Sequence, residues 1–203
     1  MTLRLGVLDQ SPIRAGGTPA EAIRETLELA ELCDRLGYHR YWLAEHHSSG
    51  GLASASPEIL IGQVAARTSR IRVGSGGVML THYAPLKVAE QFRMLETLFP
   101  GRIDLGVGRA PGSDTKTARA LAPGAPQPGL ERYPEQLMDL YGFLSGDLPG
   151  DHPFAGVQAM PFGDTLPELW LLGSSSAGGE YAASLAGPSA SPTSSTPTAA
   201  RWW

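Results

Sequence analysis

The sequence predicts an α/β fold, a partial (β/α)8 TIM barrel of about five β/α units followed by a disordered C-terminal tail. Three observations lead there. Apolar runs of strand length alternate with amphipathic helical stretches at spacings of about 30 residues, a rhythm that implies parallel strands and right-handed crossovers. Polar or glycine-rich clusters follow each strand (Asp9-Gln10-Ser11, Glu45-His46-His47, Thr81-His82, Gly108-Arg109 and Gly173-Ser174-Ser175), whereas turns into strands, such as Leu36-Gly37-Tyr38, look structural. A barrel builds its site from that face and from several strands at once, while an open doubly wound sheet concentrates it near one switch point.

Leu3 to Leu8 is apolar except for Arg4, too short for a helix, and ends in Asp9-Gln10-Ser11-Pro12, as a buried strand opening into a loop would. Thr18-Pro19-Ala20-Glu21 then supplies an N-cap, a proline at the first helical position and an early acid. The helix carries Ile23, Leu27, Ala30 and Leu36, and Gly37 closes it. His39 to Ala44 is the second strand, Ser56-Pro57-Glu58 starts the second helix, and Ile71 to Leu80 is the third strand. Pro85 to Phe99 is the third helix, stopped by Pro100-Gly101. Ile103 to Val107, Pro134 to Leu144 and Glu168 to Leu172 complete the pattern as strand, helix and strand.

Composition narrows the functions. The 203 residues suit one domain, and 16 basic against 20 acidic residues give a net charge of -4 without a basic cluster that could follow a phosphate backbone. Nucleic acid is thus excluded as an expected partner. No apolar run approaches the ~20 residues needed to span a bilayer, and MTLRLGVLDQ lacks a signal peptide's apolar centre. A cytoplasmic protein is the expectation. Cys33 is the single cysteine, lies in a helical pattern and reads as a small core residue.

Several positions carry chemistry. In Glu45-His46-His47 an imidazole at the end of a strand is suited to proton transfer, and equally to a structural hydrogen bond. Glu45 and His47 are expected to orient the loop or to bond neighbouring backbone. No metal site is expected there, because adjacent side chains on an extended strand point to opposite faces. Gly74-Ser75-Gly76-Gly77 interrupts an apolar strand and marks a bulge or a close backbone approach. Gly106-Val107-Gly108-Arg109 offers a guanidinium on a glycine-lined loop, suited to a phosphate, with a plain surface arginine as the alternative. As a dinucleotide fingerprint the stretch fails, since Gly108 and Gly112 are wrongly spaced and Pro111 sits where a helix should open. His82 either lines a substrate pocket or caps the helix that Pro85 begins, and Asp9, Gln10 and Ser11 are pocket candidates at the same mouth.

Taken in order, LGVLDQSP, WLAEHH, VGSGGVMLTHYAP, GRIDLGVGRAPG and WLLGSS resemble the bacterial luciferase-like flavin-dependent monooxygenases over residues 3 to 186. The resemblance implies a TIM barrel that binds reduced FMN, or the deazaflavin F420 in some branches, at the carboxyl ends of the strands. It implies that His46 is the catalytic histidine beside the flavin, and that a non-prolyl cis peptide at Gly76-Gly77 lies under the isoalloxazine ring. Arg109, with Ser174 and Ser175, would hold the flavin phosphate. Family members carry an acid where this chain has Gly173, a departure that bears on the serine part of that assignment.

The implied activity is a flavin-dependent oxidoreductase or monooxygenase using oxygen on a small organic substrate, with a flavin reductase as a partner. The alternative from a different class is a truncated, inactive product that retains at most weak flavin binding. A phosphate-binding α/β enzyme unrelated to flavins has the motif order against it. A partial barrel exposes strand edges and its inner apolar face, so a homo-oligomer is expected.

Residues 1 to 186 are read as one partial-barrel domain. From 187 to 203 the chain runs GPSASPTSSTPTAARWW, without apolar period, and is expected to be disordered. Reading the frame one base earlier turns Ser189 to Pro197 into an alternation of apolar and small residues ending in polar ones, the pattern of a sixth strand. A frameshift is therefore preferred to a natural low-complexity tail. Sequencing the source DNA is expected to show barrel-like sequence continuing in the other frame; an intact frame with no such continuation would refute it.

Overall fold

This computed structural model of the chain describes residues 3–110, 114–123, 131–173 and 201–202. Strand β1 spans Gly6–Asp9, α1 Pro19–Arg35, β2 Arg40–Leu43, α2 Pro57–Arg67 and β3 Arg72–Met79. A 3-10 turn, Leu80–His82, leads to α3 (Pro85–Leu98), β4 (Ile103–Gly108), α4 (Thr115–Leu121), α5 (Tyr133–Ser145), β5 (Glu168–Leu172) and the two-residue β6 (Arg201–Trp202). The segment 187–200 of the expected tail, like Ser174 and Ser175, lies outside the described residues; the backbone of Arg201–Trp202 pairs with β5.

All strand pairings are parallel and the sheet order is β1-β2-β3-β4-β5-β6. A doubly wound sheet would reverse its order at a switch point, and this one does not, so the barrel reading holds. Curvature shows it as well. Trp42 on β2 and Trp170 on β5 meet edge to face with centroids 5.4 Å apart, although three inter-strand spacings of about 4.8 Å separate their strands along the sheet. A sheet that curls toward a barrel axis brings them together.

One face of the sheet carries the helices. Tyr41, Leu43, Val73, Ile103, Leu105, Val107, Leu169 and Leu171 alternate along the strands and join the helical residues Val64, Phe92 and Leu140 in the buried core. The alternate positions face the concave side, and near the amino ends of the strands they are charged. Arg40 contacts Asp104 at 2.9 Å and Glu168 at 2.9 Å, and Arg72 reaches Asp104 at 2.5 Å and Glu168 at 3.4 Å. The guanidinium of Arg40 also lies over the Trp170 ring. Such a network adds little net stability, but removing one partner strands the others in a dry site.

Local signals explain the helix starts. Thr18 and Glu21 form a capping box ahead of Pro19, and Gly37 ends α1 in the left-handed region at φ +79°. One expectation shifts. The first strand begins at Gly6 rather than Leu3, because the β1–β2 ladder starts at Gly6 opposite Arg40 and Leu3 lies 79% exposed. Helix α4, which no apolar period announces, is seven residues capped by Asp114 through Lys116 N and Thr117 N.

Asp34, in the last turn of α1, ties down the turn into β3. Burial opposes ionisation, but Ser69 N, Ile71 N, Arg70 N and the Ser69 hydroxyl all donate to the carboxylate and hold it below the usual carboxylate range. A depressed carboxyl contributes stability that is present above its unfolded value and lost as pH falls through the lower, folded one. Asp34→Asn is expected to lose about 1–3 kcal/mol at pH 7. In urea melts its difference from wild type is expected to shrink below about pH 4; a difference independent of pH would contradict this role.

Candidate active site at the strand exits

Register fixes what gathers at the carboxyl ends. Leu43 is level with Ser75, Met79 with Gly108, and Gly108 with Leu172. The loop after β2, the glycine pair of β3 and the residue after β4 therefore leave the same end of three neighbouring strands.

The centre of the arrangement is the β3–β4 contact. A Cβ on Gly106 would lie 2.1 Å from Ser75 O, and one on Gly74 would lie 2.5 Å from Asp104 O. Only glycine admits this approach. The register then shifts between Ser75 and Val78, and the Ser75 hydroxyl fills the gap by donating to Gly106 O at 2.8 Å and accepting from Gly106 N at 3.0 Å. Within this bulge the Gly76–Gly77 peptide is cis, as the resemblance implied. Both glycines are half-buried, and a Cβ on Gly76 would meet Leu8 Cδ1 at 2.9 Å and Trp42 Cβ at 3.0 Å.

The β2 exit is held on several sides. Glu45, buried, accepts from Met79 N at 2.9 Å and from the Tyr83 hydroxyl at 2.5 Å, and its Oε1 lies 2.6 Å from His47 Nε2. Burial, and then the Glu45 carboxylate, push the Tyr83 hydroxyl well above the usual phenol range, so it stays a donor. Glu58, in the first turn of α2, is likewise raised, by burial first and then by Glu45. His46 is half-buried; its backbone N donates to Ser54 O at 2.9 Å, while its ring Nδ1 is buried without a hydrogen-bond partner among the described residues.

The other candidates divide. Arg109 follows β4 with an exposed side chain, beside Gly108, whose missing Cβ would meet nothing within 4 Å. Gln10 is exposed at the β1 exit. Asp9 is not presented to the mouth: its side chain faces α1, where it accepts from the Tyr41 hydroxyl at 2.5 Å and from Ser11 N at 2.7 Å. The reason is alternation, since Leu8 takes the concave side and Asp9 the helical one. Ser11 is also fully buried and bonds Thr26 of α1. His82 is buried in the 3-10 turn, edge to face with Tyr83. Among the described residues no group of three His, Cys, Asp or Glu side chains is placed to hold a metal, and no helix is long and apolar enough to cross a membrane.

Sequence reasoning missed Tyr83 as a member of this cluster. Its signal was an aromatic hydroxyl between a polar strand exit and the helix-opening Pro85, but its partner is 38 residues away and only the fold joins them.

Helices on one face, sequential parallel strands and polar exits together define a partial (β/α)8 barrel, an architecture that builds its sites at the carboxyl face. The chain belongs to the luciferase-like monooxygenase family, whose model matches residues 3–203. It is 44% identical over 183 residues to the N-acetyl-S-alkylcysteine monooxygenase of Bacillus subtilis, covering 90% of this chain and 54% of that protein. It resembles the crystal structure of apo-MsnO8 with a TM-score of 0.81 and 43% identity, covering 92% of this chain and 55% of that one. Two further solved structures share the fold. One is a type II Baeyer-Villiger monooxygenase of Pseudomonas putida in complex with FMN (TM-score 0.70, 20% identity, 86% of this chain and 52% of that one). The other is an F420-dependent secondary alcohol dehydrogenase (TM-score 0.67, 18% identity, 88% and 54%). The chain spans about half the length of the curated relatives it matches.

Proposed function

We propose that this chain forms the cofactor-binding half of a flavin-dependent monooxygenase that uses reduced FMN and oxygen on a small organic substrate. The observation that carries this reading is the buried Nδ1 of His46, without a hydrogen-bond partner among the described residues, at the exit shared with the Gly76–Gly77 bulge. A buried ring nitrogen without a protein partner is costly unless a ligand supplies one. Backbone bare of side chains at Gly76 and Gly77 suits a flat ring, and open space at Gly108 leaves room for a phosphate at Arg109.

In this reading Gly76 and Gly77 lie beneath the ring, Arg109 holds the phosphate with Ser174 and Ser175, and His46 holds or moves a proton at Nδ1. Reduced flavin supplies the electrons for oxygen activation. Gln10 lies at the pocket rim, and His82 shapes the wall from behind rather than touching substrate. The FMN-bound structure that shares the fold supports FMN as the cofactor, and the F420-dependent one keeps F420 as the alternative. We further place the protein in the cytoplasm, as a self-associating chain supplied by a flavin reductase. One observation favours a second reading, flavin binding without turnover: Leu8, on the concave side of β1, is 44% exposed, so this part of the cleft is uncovered.

Fluorescence quenching of FMN on titration with the protein tests the proposal. Arg109→Ala is expected to raise the Kd about tenfold or more, through loss of charge-assisted phosphate bonds. His46→Asn is expected to weaken FMN binding by less than about tenfold, but to lose about 100-fold or more in turnover with a flavin reductase and oxygen. Failure of the wild type to bind FMN or F420 would overturn the reading, and binding without turnover would select the second one.

A further inference from the structure

We propose that Glu45 is a positioning residue: a shared acceptor that locks the loop carrying His46 onto the exit of β3 and fixes the hydrogen of His47 on Nε2. The proposal deepens the functional reading above, on which it rests for what fills the cleft.

Three donors from different parts of the chain converge on one carboxylate. Met79 N lies 2.9 Å from Oε2, while the Tyr83 hydroxyl at 2.5 Å and His47 Nε2 at 2.6 Å share Oε1. The Glu45 side chain is 1% exposed. Filling space there would need no charge, and a buried carboxylate is expensive unless donors surround it. An ionised carboxylate only accepts, with about four lone-pair positions, whereas glutamine would turn its amide hydrogens toward one of these donors.

The same arrangement fixes a tautomer. Tyr83 has one hydroxyl hydrogen, and it goes to Oε1. The hydrogen in the 2.6 Å contact between His47 and Oε1 therefore sits on Nε2. Tyr83 also lies 3.2 Å from His47 Nε2, closing a triangle of phenol, carboxylate and imidazole. Glu58 of α2 feels the Glu45 charge and is the other acid beside this cluster.

His46 follows Glu45 directly, so the tie acts on it through one peptide. Behind it, Ser54 O accepts from His46 N at 2.9 Å, the Ser54 hydroxyl donates to Ala44 O at 2.6 Å, and Ala53 N donates to Ser11 O at 2.9 Å. The loop is held on both flanks, while the Nδ1 of His46 is buried without a hydrogen-bond partner among the described residues. On the other side, Met79 N belongs to the strand that has just passed the Gly76–Gly77 bulge. Glu45 thereby links the strand that leaves the Gly76–Gly77 bulge to the loop that carries His46.

Nitrogen-15 NMR of the histidine rings in the ligand-free protein tests this, before and after addition of FMN. The wild type is expected to show His47 with its hydrogen on Nε2 and protected from exchange, and FMN is expected to shift the His46 ring signals. At saturating FMN, Glu45→Gln is expected to lose the protected His47 hydrogen and to show less than about half of the His46 response. Tyr83→Phe removes one donor and is expected to keep the His47 hydrogen, which serves as the check should Glu45→Gln fold poorly. A wild-type His47 protonated on Nδ1 alone would overturn the proposal, as would an unchanged His47 signature and His46 response in Glu45→Gln. Absence of FMN binding in the wild type, with the His47 signature present, would sink the flavin reading and leave the role of Glu45 in holding the loop intact.

Discussion

The approach of β3 to β4 is the constraint from which the rest of the cleft follows. Two strands this close tolerate no side chain at Gly74 or Gly106. The ladder cannot then run evenly, and Ser75 takes over a backbone bond as the register slips. The slip places Gly76 and Gly77, bare of side chains, on the concave surface beside the β2 exit. A larger residue at either contact would push the strands apart and move the floor relative to His46.

The concave face divides along its length by physical character. At the amino ends, Arg40, Arg72, Asp104 and Glu168 line the concave side with mutually paired charge. Trp42 and Trp170 form the layer above. At the carboxyl ends the large side chains give way to glycine and to the loop after β2, which Glu45 ties to the β3 exit. These ties hold the loop after β2 against β3, the kind of support that a preorganised site requires.

Much of the fold was legible because its signals are local. Thr18-Pro19-Glu21, Ser56-Pro57 and Pro85 announce helix starts within four residues, and the apolar strands are bounded by polar exits. The charged floor was not legible: Arg40, Arg72, Asp104 and Glu168 each read as a stray charge in a strand until register sets them side by side. Position in sequence misled at Asp9, where adjacency to Gln10 suggested a shared mouth but strand alternation sends the carboxylate under α1. For His46 and the glycine pair, motif order indicated the neighbourhood, while the hydrogen bonds that hold them span 31 to 38 residues and belong to the folded state alone.

The central claim is that the exits of β2, β3 and β4 surround one cleft shaped for a phosphorylated, planar cofactor. The direct measurement is a crystal structure of the chain soaked with FMN. The account predicts the ring against Gly76–Gly77 with the His46 imidazole at its edge and the phosphate at Arg109. Density for FMN on the helical face, or with its phosphate at the Arg40–Arg72 floor, would contradict it.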